Sequence, residues 1–172
     1  QGHPQLLQAL TPHLDEINLH PAEWKNIITT VPNTISNLAS AAVAGFTQLF
    51  HIISSQLEDI HISSDQWQHI IISCPNTIFT LVLAVENDCS TSLLENLLSH
   101  IPSMQITSEQ WKQIFTHSTA TVSAILLSAE YVNPNLLNTA APHLYRSGST
   151  IWQTIIMKEP RVVMQLAYAL KK

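Results

Sequence analysis

The sequence predicts an all-α fold, a right-handed α-solenoid of four three-helix repeats of about 43 residues each, and two observations carry that expectation. The first is spacing: Trp24, Trp67, Trp111 and Trp152 are separated by 43, 44 and 41 residues. The second is what accompanies each indole. Three positions on stands Ile27, Ile70, Ile114 or Ile155, and next to it Ile28, Ile71, Phe115 or Ile156. Pro32, Pro75, Thr119 and Pro160 follow at a common offset, then Ile35, Ile78, Val122 and Val163, then Leu38, Leu81, Ile125 and Leu166. A lone residue type can recur by chance, whereas a recurring string of neighbours marks a structural unit. The units fall at about 4–46, 47–90, 91–133 and 134–172.

Helix A comes first in each unit. Leu6, Leu7, Leu10 and Leu14, like Leu93, Leu94, Leu97 and Ile101, recur at helical spacing and form one stripe rather than a strand alternation. Leu49-Phe50 and Leu136-Leu137 are their counterparts. Pro4 and Pro134 sit where a helix can start without losing a hydrogen bond, while Pro12 and Pro142, further along, predict a kink or an end. Helix B opens on Ser63-Ser64-Asp65-Gln66 and Thr107-Ser108-Glu109-Gln110, a hydroxyl at N-cap facing an amide at N3, and His20-Pro21-Ala22-Glu23 is the variant with proline at N1. Each Trp therefore lies in the first turns of helix B, on an apolar stripe that favours core packing over ligand contact. The prolines at 32, 75 and 160 end helix B and begin helix C, because the residue before a proline avoids the α region. Helix C buries Ile35, Leu38, Ala39 and Ala42, with Ile78, Leu81, Val82 and Val85 in the same places one unit on. Helices this short do not stand alone in water, so stacked neighbours must cover the stripes.

Unit length and the three-helix pattern resemble armadillo repeats, with HEAT repeats close behind, over the full chain and at the level of architecture. The chain departs from that pattern in having no glycine between helices A and B and in placing proline between B and C.

Composition narrows the function. Charged residues make up 11% of the chain against about 25% in an average domain, and three glycines stand where about twelve are usual, which argues against disorder and against glycine-loop nucleotide folds. Residues 1–145 hold eleven acids against Lys25 and Lys112, net −9, whereas from Arg146 onward five bases face Glu159 alone, net +4. An acidic array with bases confined to its last unit does not suit a nucleic-acid partner. No run of about 18 uninterrupted apolar residues exists, so no membrane span is expected. Cys74 and Cys89 read as free thiols of a reducing compartment, which with the lack of a glycosylation sequon points to an intracellular, cytoplasmic protein. The Ser, Asn, Gln and Ile-rich composition also resembles that of a bacterial effector secreted into a host cell. The opening Gln1-Gly2-His3 resembles a tobacco-etch-virus protease scar, so residues 1–3 are expected to be foreign and 4–172 to be one helical-repeat domain from a longer protein.

For catalysis the inventory is poor. There is no phosphate loop, no nucleophile elbow and no pairing of His with Cys that the repeat brings together. His13, His100 and His143 recur at one position, with Gln56 in the remaining unit, and are expected to be exposed at the end of helix A. Packed helices lie about 8–10 Å apart, too far for such a ladder to converge on one metal ion. Asp15, Glu16, Glu58 and Asp59 recur there as a solvated helix end. No cofactor and no metal are expected.

Helix C offers the better binding face. Its positions outside the core stripe are Asn33, Ser36, Asn37 and Ser40 in the first unit, and Asn76, Phe79, Thr80 and Leu83 in the second. Ala120, Ser123, Ala124 and Leu127 take these places in the third, and Arg161, Met164, Gln165 and Tyr168 in the fourth. Amide side chains on a rigid concave wall can pair with a peptide backbone as donor and as acceptor. Asn33 and Asn76 are equally read as helix-start residues held by local hydrogen bonds. The partner-binding set is Asn33, Asn37, Asn76, Phe79, Thr80, Arg161, Gln165 and Tyr168, and the expected role is a non-enzymatic scaffold for a protein or extended peptide. The alternative is an accessory or substrate-docking domain of a larger enzyme. The final helix, apolar nearly all round from Arg161 to Leu170, is expected to be covered by more chain, by a partner or by self-association.

Overall fold

A computed structural model describes residues 19–131 and 135–169, without the side chains at 57, 58, 129–131, 135, 168 and 169. Leu6, Leu7, Leu10 and Leu14 of the first helix A lie outside the described residues, as do Pro4, Pro12, His13, Asp15, Glu16, Pro134 and Leu170 and the side chains of Glu58 and Tyr168. In chain order the helices are α1 (Pro21–Thr30), α2 (Thr34–Val43), α3 (Gln48–Ser55), α4 (Leu57–Ile60), α5 (Ser64–Ser73) and α6 (Thr77–Glu86). There follow α7 (Ser92–His100), a 3-10 turn at Ile101–Ser103, α8 (Ser108–His117), α9 (Thr119–Tyr131), α10 (Asn135–Arg146), α11 (Ser149–Lys158) and α12 (Arg161–Ala169). The fold is all-α, with no strand among the described residues.

Local chemistry sets the helix starts. At α5, Ser63 Oγ accepts from the Gln66 N–H while the Ser63 N–H donates to Gln66 Oε1 at 3.0 Å; Thr107 and Gln110 repeat the exchange at α8. His20 N–H donates to Glu23 Oε2 at 2.8 Å ahead of α1. The fourth such helix, α11, starts instead from Gly148 at φ +82°, a left-handed conformation that a side chain would strain.

The turn from helix B to helix C has one geometry four times over. Val31, Cys74, Ser118 and Glu159 take φ between −118° and −136° and ψ between 75° and 85°. Each donates its N–H to the carbonyl four residues back and accepts from the N–H three residues on. Three of them precede a proline, whose ring excludes the α region for its predecessor. Ser118 has no proline after it and bends alike. Its hydroxyl donates to Asn76 Oδ1 at 2.7 Å, and Thr121 Oγ1 donates to the Pro75 carbonyl at 2.8 Å, so side-chain bonds to the preceding unit hold the corner there. At Cys74 the helix axes turn by 97°.

Like packs on like. The C helices form the most extensive contacts, α2 on α6, α6 on α9 and α9 on α12; the B helices pack α1 on α5, α5 on α8 and α8 on α11, and among the A helices α3 meets α7. Ser36, Ala39, Thr77, Thr80, Thr121 and Ala124 are buried, small side chains that let the C helices approach closely. Trp24, Trp67 and Trp111 are buried in the core, and Trp152 is half-buried. The segments the sequence assigns to helix A differ most: a break separates α3 from α4, α7 ends in the 3-10 turn at Pro102, and α10 runs through Pro142 to Arg146 rather than ending there.

Candidate functional site

The helix-C wall of α2, α6, α9 and α12 is where the sequence places the binding residues, and the structure divides them into two groups. Asn33, Asn37, Asn76 and Arg161 are exposed. Asn33, just ahead of α2, and Asn37 on it stand about one turn apart with Ser40 beyond them, forming an exposed polar stripe. Neither Asn33 nor Asn76 makes a side-chain cap bond to its own helix, so the local-capping account of these two residues does not hold.

The second group is engaged between helices. Thr80 is buried, and its hydroxyl lies 3.3 Å from Ser36 Oγ and within bonding distance of the Asn76 and Thr77 carbonyls. That hydroxyl joins α6 to α2 and is not open to a ligand. Gln165 is half-buried and its Oε1 accepts from Ser123 Oγ at 2.8 Å, tying α12 to α9. Asn76 Oδ1 accepts from Ser118, so the acceptor of this exposed side chain is already engaged and its amide N–H groups are not used in that bond. Phe79 is half-buried against the core. Ser36, Ser123 and Ala124, also candidate positions of helix C, are buried.

The recurring histidines are not free surface groups. His100 Nδ1 lies 3.0 Å from Ser64 Oγ, and His143 Nδ1 2.9 Å from Ser108 Oγ. Each clips the end of one helix A to the first turn of the helix B before it. His143 also stacks on Trp111, with ring centroids 6.0 Å apart; burial, helped by the Arg146 charge, holds its pKa below the ordinary histidine value. A sign of this clip stands in the sequence: where Pro21 replaces the serine, Gln56 replaces the histidine. A second clip comes from the residue after the first two Trp residues. Lys25 Nζ donates to the His61 carbonyl at 2.8 Å, and Gln68 Oε1 accepts from the Gln105 N–H at 2.9 Å.

Among the described residues no group of three or more His, Cys, Asp or Glu could hold a metal ion. Cys74 is half-buried and Cys89 buried, both free; burial and the neighbouring Asp88 push the Cys89 thiol pKa up, away from nucleophilic reactivity. No single helix among the described residues is long and apolar enough to cross a membrane. Comparison with known proteins returns no match among family models, curated proteins or solved structures.

Proposed function

We propose that the chain is a right-handed α-solenoid of four armadillo- or HEAT-like units whose helix-C wall binds a partner protein or extended peptide, with no chemistry of its own. The supporting observation is the continuous contact of α2, α6, α9 and α12, with Asn33, Asn37, the amide of Asn76 and Arg161 exposed on it. Such a wall offers donors and acceptors held on rigid elements, which suits recognition of a backbone. Thr80 and Gln165 leave the contact set and become part of the scaffold that spaces it.

Affinity capture with the tagged full chain, bound proteins being identified by mass spectrometry, tests this reading. A partner retained by the native chain is expected to be lost with Asn37→Ala and with Arg161→Ala, neither of which removes a contact within the fold. Retention by both variants, with loss only on changing α12 residues away from the wall, would overturn it.

A further inference from the structure

Among the described residues, three buried side-chain polar atoms have no hydrogen-bond partner: Trp24 Nε1, Ser54 Oγ and Gln56 Oε1. All three lie on the elements of one joint, where α3 packs on α2 and α4 on α1. The next joints follow the same plan, with α7 on α5 and α6, and α10 on α8 and α9. There the indole is held by the segment that covers it: Trp67 Nε1 donates to Asn96 Oδ1 at 2.8 Å, and Trp111 stacks on His143. Leu49-Phe50 matches Leu93-Leu94, so Ile52 stands at the place of Asn96, Ser54 at that of Leu98 and Gln56 at that of His100. An aliphatic side chain accepts nothing from an indole, and here a serine replaces a leucine that is 1% exposed. The serine–histidine clip is gone as well, because Pro21 stands where Ser64 and Ser108 do. The clip from Lys25 Nζ to the His61 carbonyl is kept, but His61 holds it at φ +48°, a left-handed conformation that strains a residue with a Cβ; its counterpart Gln105 is not left-handed.

We propose that α3 and α4 form a strap that lifts off α1 and α2 while the rest of the fold stays closed, a freedom that the later joints lack. The argument is a difference of hydrogen bonds. Lifting α7 from α5 and α6 breaks the bonds from Trp67 to Asn96 and from Ser64 to His100. Lifting α3 and α4 breaks neither kind, and it gives Trp24 Nε1, Ser54 Oγ and Gln56 Oε1 the water that burial denies them, so opening costs less at this joint. The apolar hold is weaker too. α7 seats Leu93, Leu94, Leu97 and Leu98, each at most 1% exposed, whereas α3 seats Phe50 and Ile53 with Ser54 beside them and Leu49 only half-buried. The C helices are not part of the strap. α2 remains on α6, joined through the buried Ser36 and Thr80, so opening leaves the helix-C wall in one piece and uncovers the indole of Trp24. The strap stands as an inference whether or not that wall binds a peptide.

Native-state hydrogen exchange of the full chain, read by mass spectrometry of peptic peptides, tests this. Amides in 48–60 are expected to be at least about tenfold less protected than those in 92–103, and to respond little to low urea, the mark of a local opening that exposes little surface. Ile52→Asn gives the indole an acceptor and Ser54→Leu restores the missing apolar contact. Together they are expected to slow exchange in 48–60 severalfold and to leave 92–103 unchanged. Asn96→Ile is expected to do the reverse, speeding exchange in 92–103. Equal protection of the two segments in the native chain would overturn the proposal. So would exchange in 48–60 that accelerates with urea as steeply as that of α6, because the segment would then open only with the whole fold. Unchanged exchange in the double variant, its fold intact by circular dichroism, would also overturn it, since the unpartnered atoms would not be what loosens the strap. Asn37→Ala and Arg161→Ala touch none of these contacts, so failure of the wall reading and failure of this one are told apart.

Discussion

α5 and α11 share a leading serine, a Trp-Gln pair and an Ile-Ile pair at matching places, yet they live in different environments. Trp67 and Ile71 are wholly buried, with α7 and α8 packed against α5; Trp152 and Ile156, their counterparts on α11, are partly open. The apolar stripe is written into both sequences. Its burial depends on which helices pack over it, so on the proposed stacked-unit reading the energy is expected to reside as much in the joints as in the helices. The most direct challenge to this contrast is a pair of truncations. Trp67→Ala removes a buried indole whose Nε1 donates to Asn96 Oδ1 at 2.8 Å, and is expected to lower the unfolding free energy by about 3–5 kcal/mol in urea titrations. Trp152→Ala is expected to cost less than half as much. Equal costs would show that the fourth unit is as well packed as the second despite its exposure.

A finer pair isolates the joint from the hydrogen bond. Ile71→Ala is expected to destabilise by about 2–5 kcal/mol, the usual range for a fully buried aliphatic side chain. Ile156→Ala, at the same offset from its Trp, has lost much of its neighbour already and is expected to give well under half of that by the same titration. In the chain extended by a further unit the Ile156 cost should rise toward the Ile71 value, which turns the comparison into a measurement of how much one joint contributes.

What the sequence made legible follows from the same distinction. Periodic features, namely the indoles, the capping pairs at Ser63 and Thr107 and the corners at Pro32, Pro75 and Pro160, are local, and the structure places them as expected. Ser118 carries no such local sign, because its bend depends on Asn76, 42 residues away, rather than on its own neighbour. Asn76, Thr80 and Gln165 are polar on an otherwise apolar helix, which reads as an outward face, but their partners Ser118, Ser36 and Ser123 come from adjacent C helices whose register no single unit reveals. A polar residue opposite a polar residue one unit away is as consistent with a seam as with a site. The half-buried setting of His100 and His143, expected on the surface, is illegible for a related reason, since the serines that hold them are 36 and 35 residues away.

The clip is the place where the closed and open ends differ by the smallest free energy. Ser108→Ala breaks the bond to His143 and is expected to cost about 0.5–1.5 kcal/mol, the ordinary net worth of a hydrogen bond. Ser149→Ala, at the same offset before Trp152 but with no histidine above it, is expected to leave the unfolding free energy unchanged within error. The histidine side adds a pH signature. His143 is held below its ordinary pKa of about 6.5, mainly by burial and secondarily by Arg146, so the unfolded chain takes up its proton first. The stabilising contribution of the neutral ring is therefore complete above that ordinary value and is lost as the pH falls through it toward the lower folded pKa. Urea midpoints measured from about pH 7.5 down to about pH 5 should decline, and His143→Gln should flatten part of that decline. A variant as pH-dependent as the native chain would mean that the ring is not what couples α10 to α8, and that the stacked Trp111 and the buried Leu136, Ala140 and Leu144 hold that joint without it.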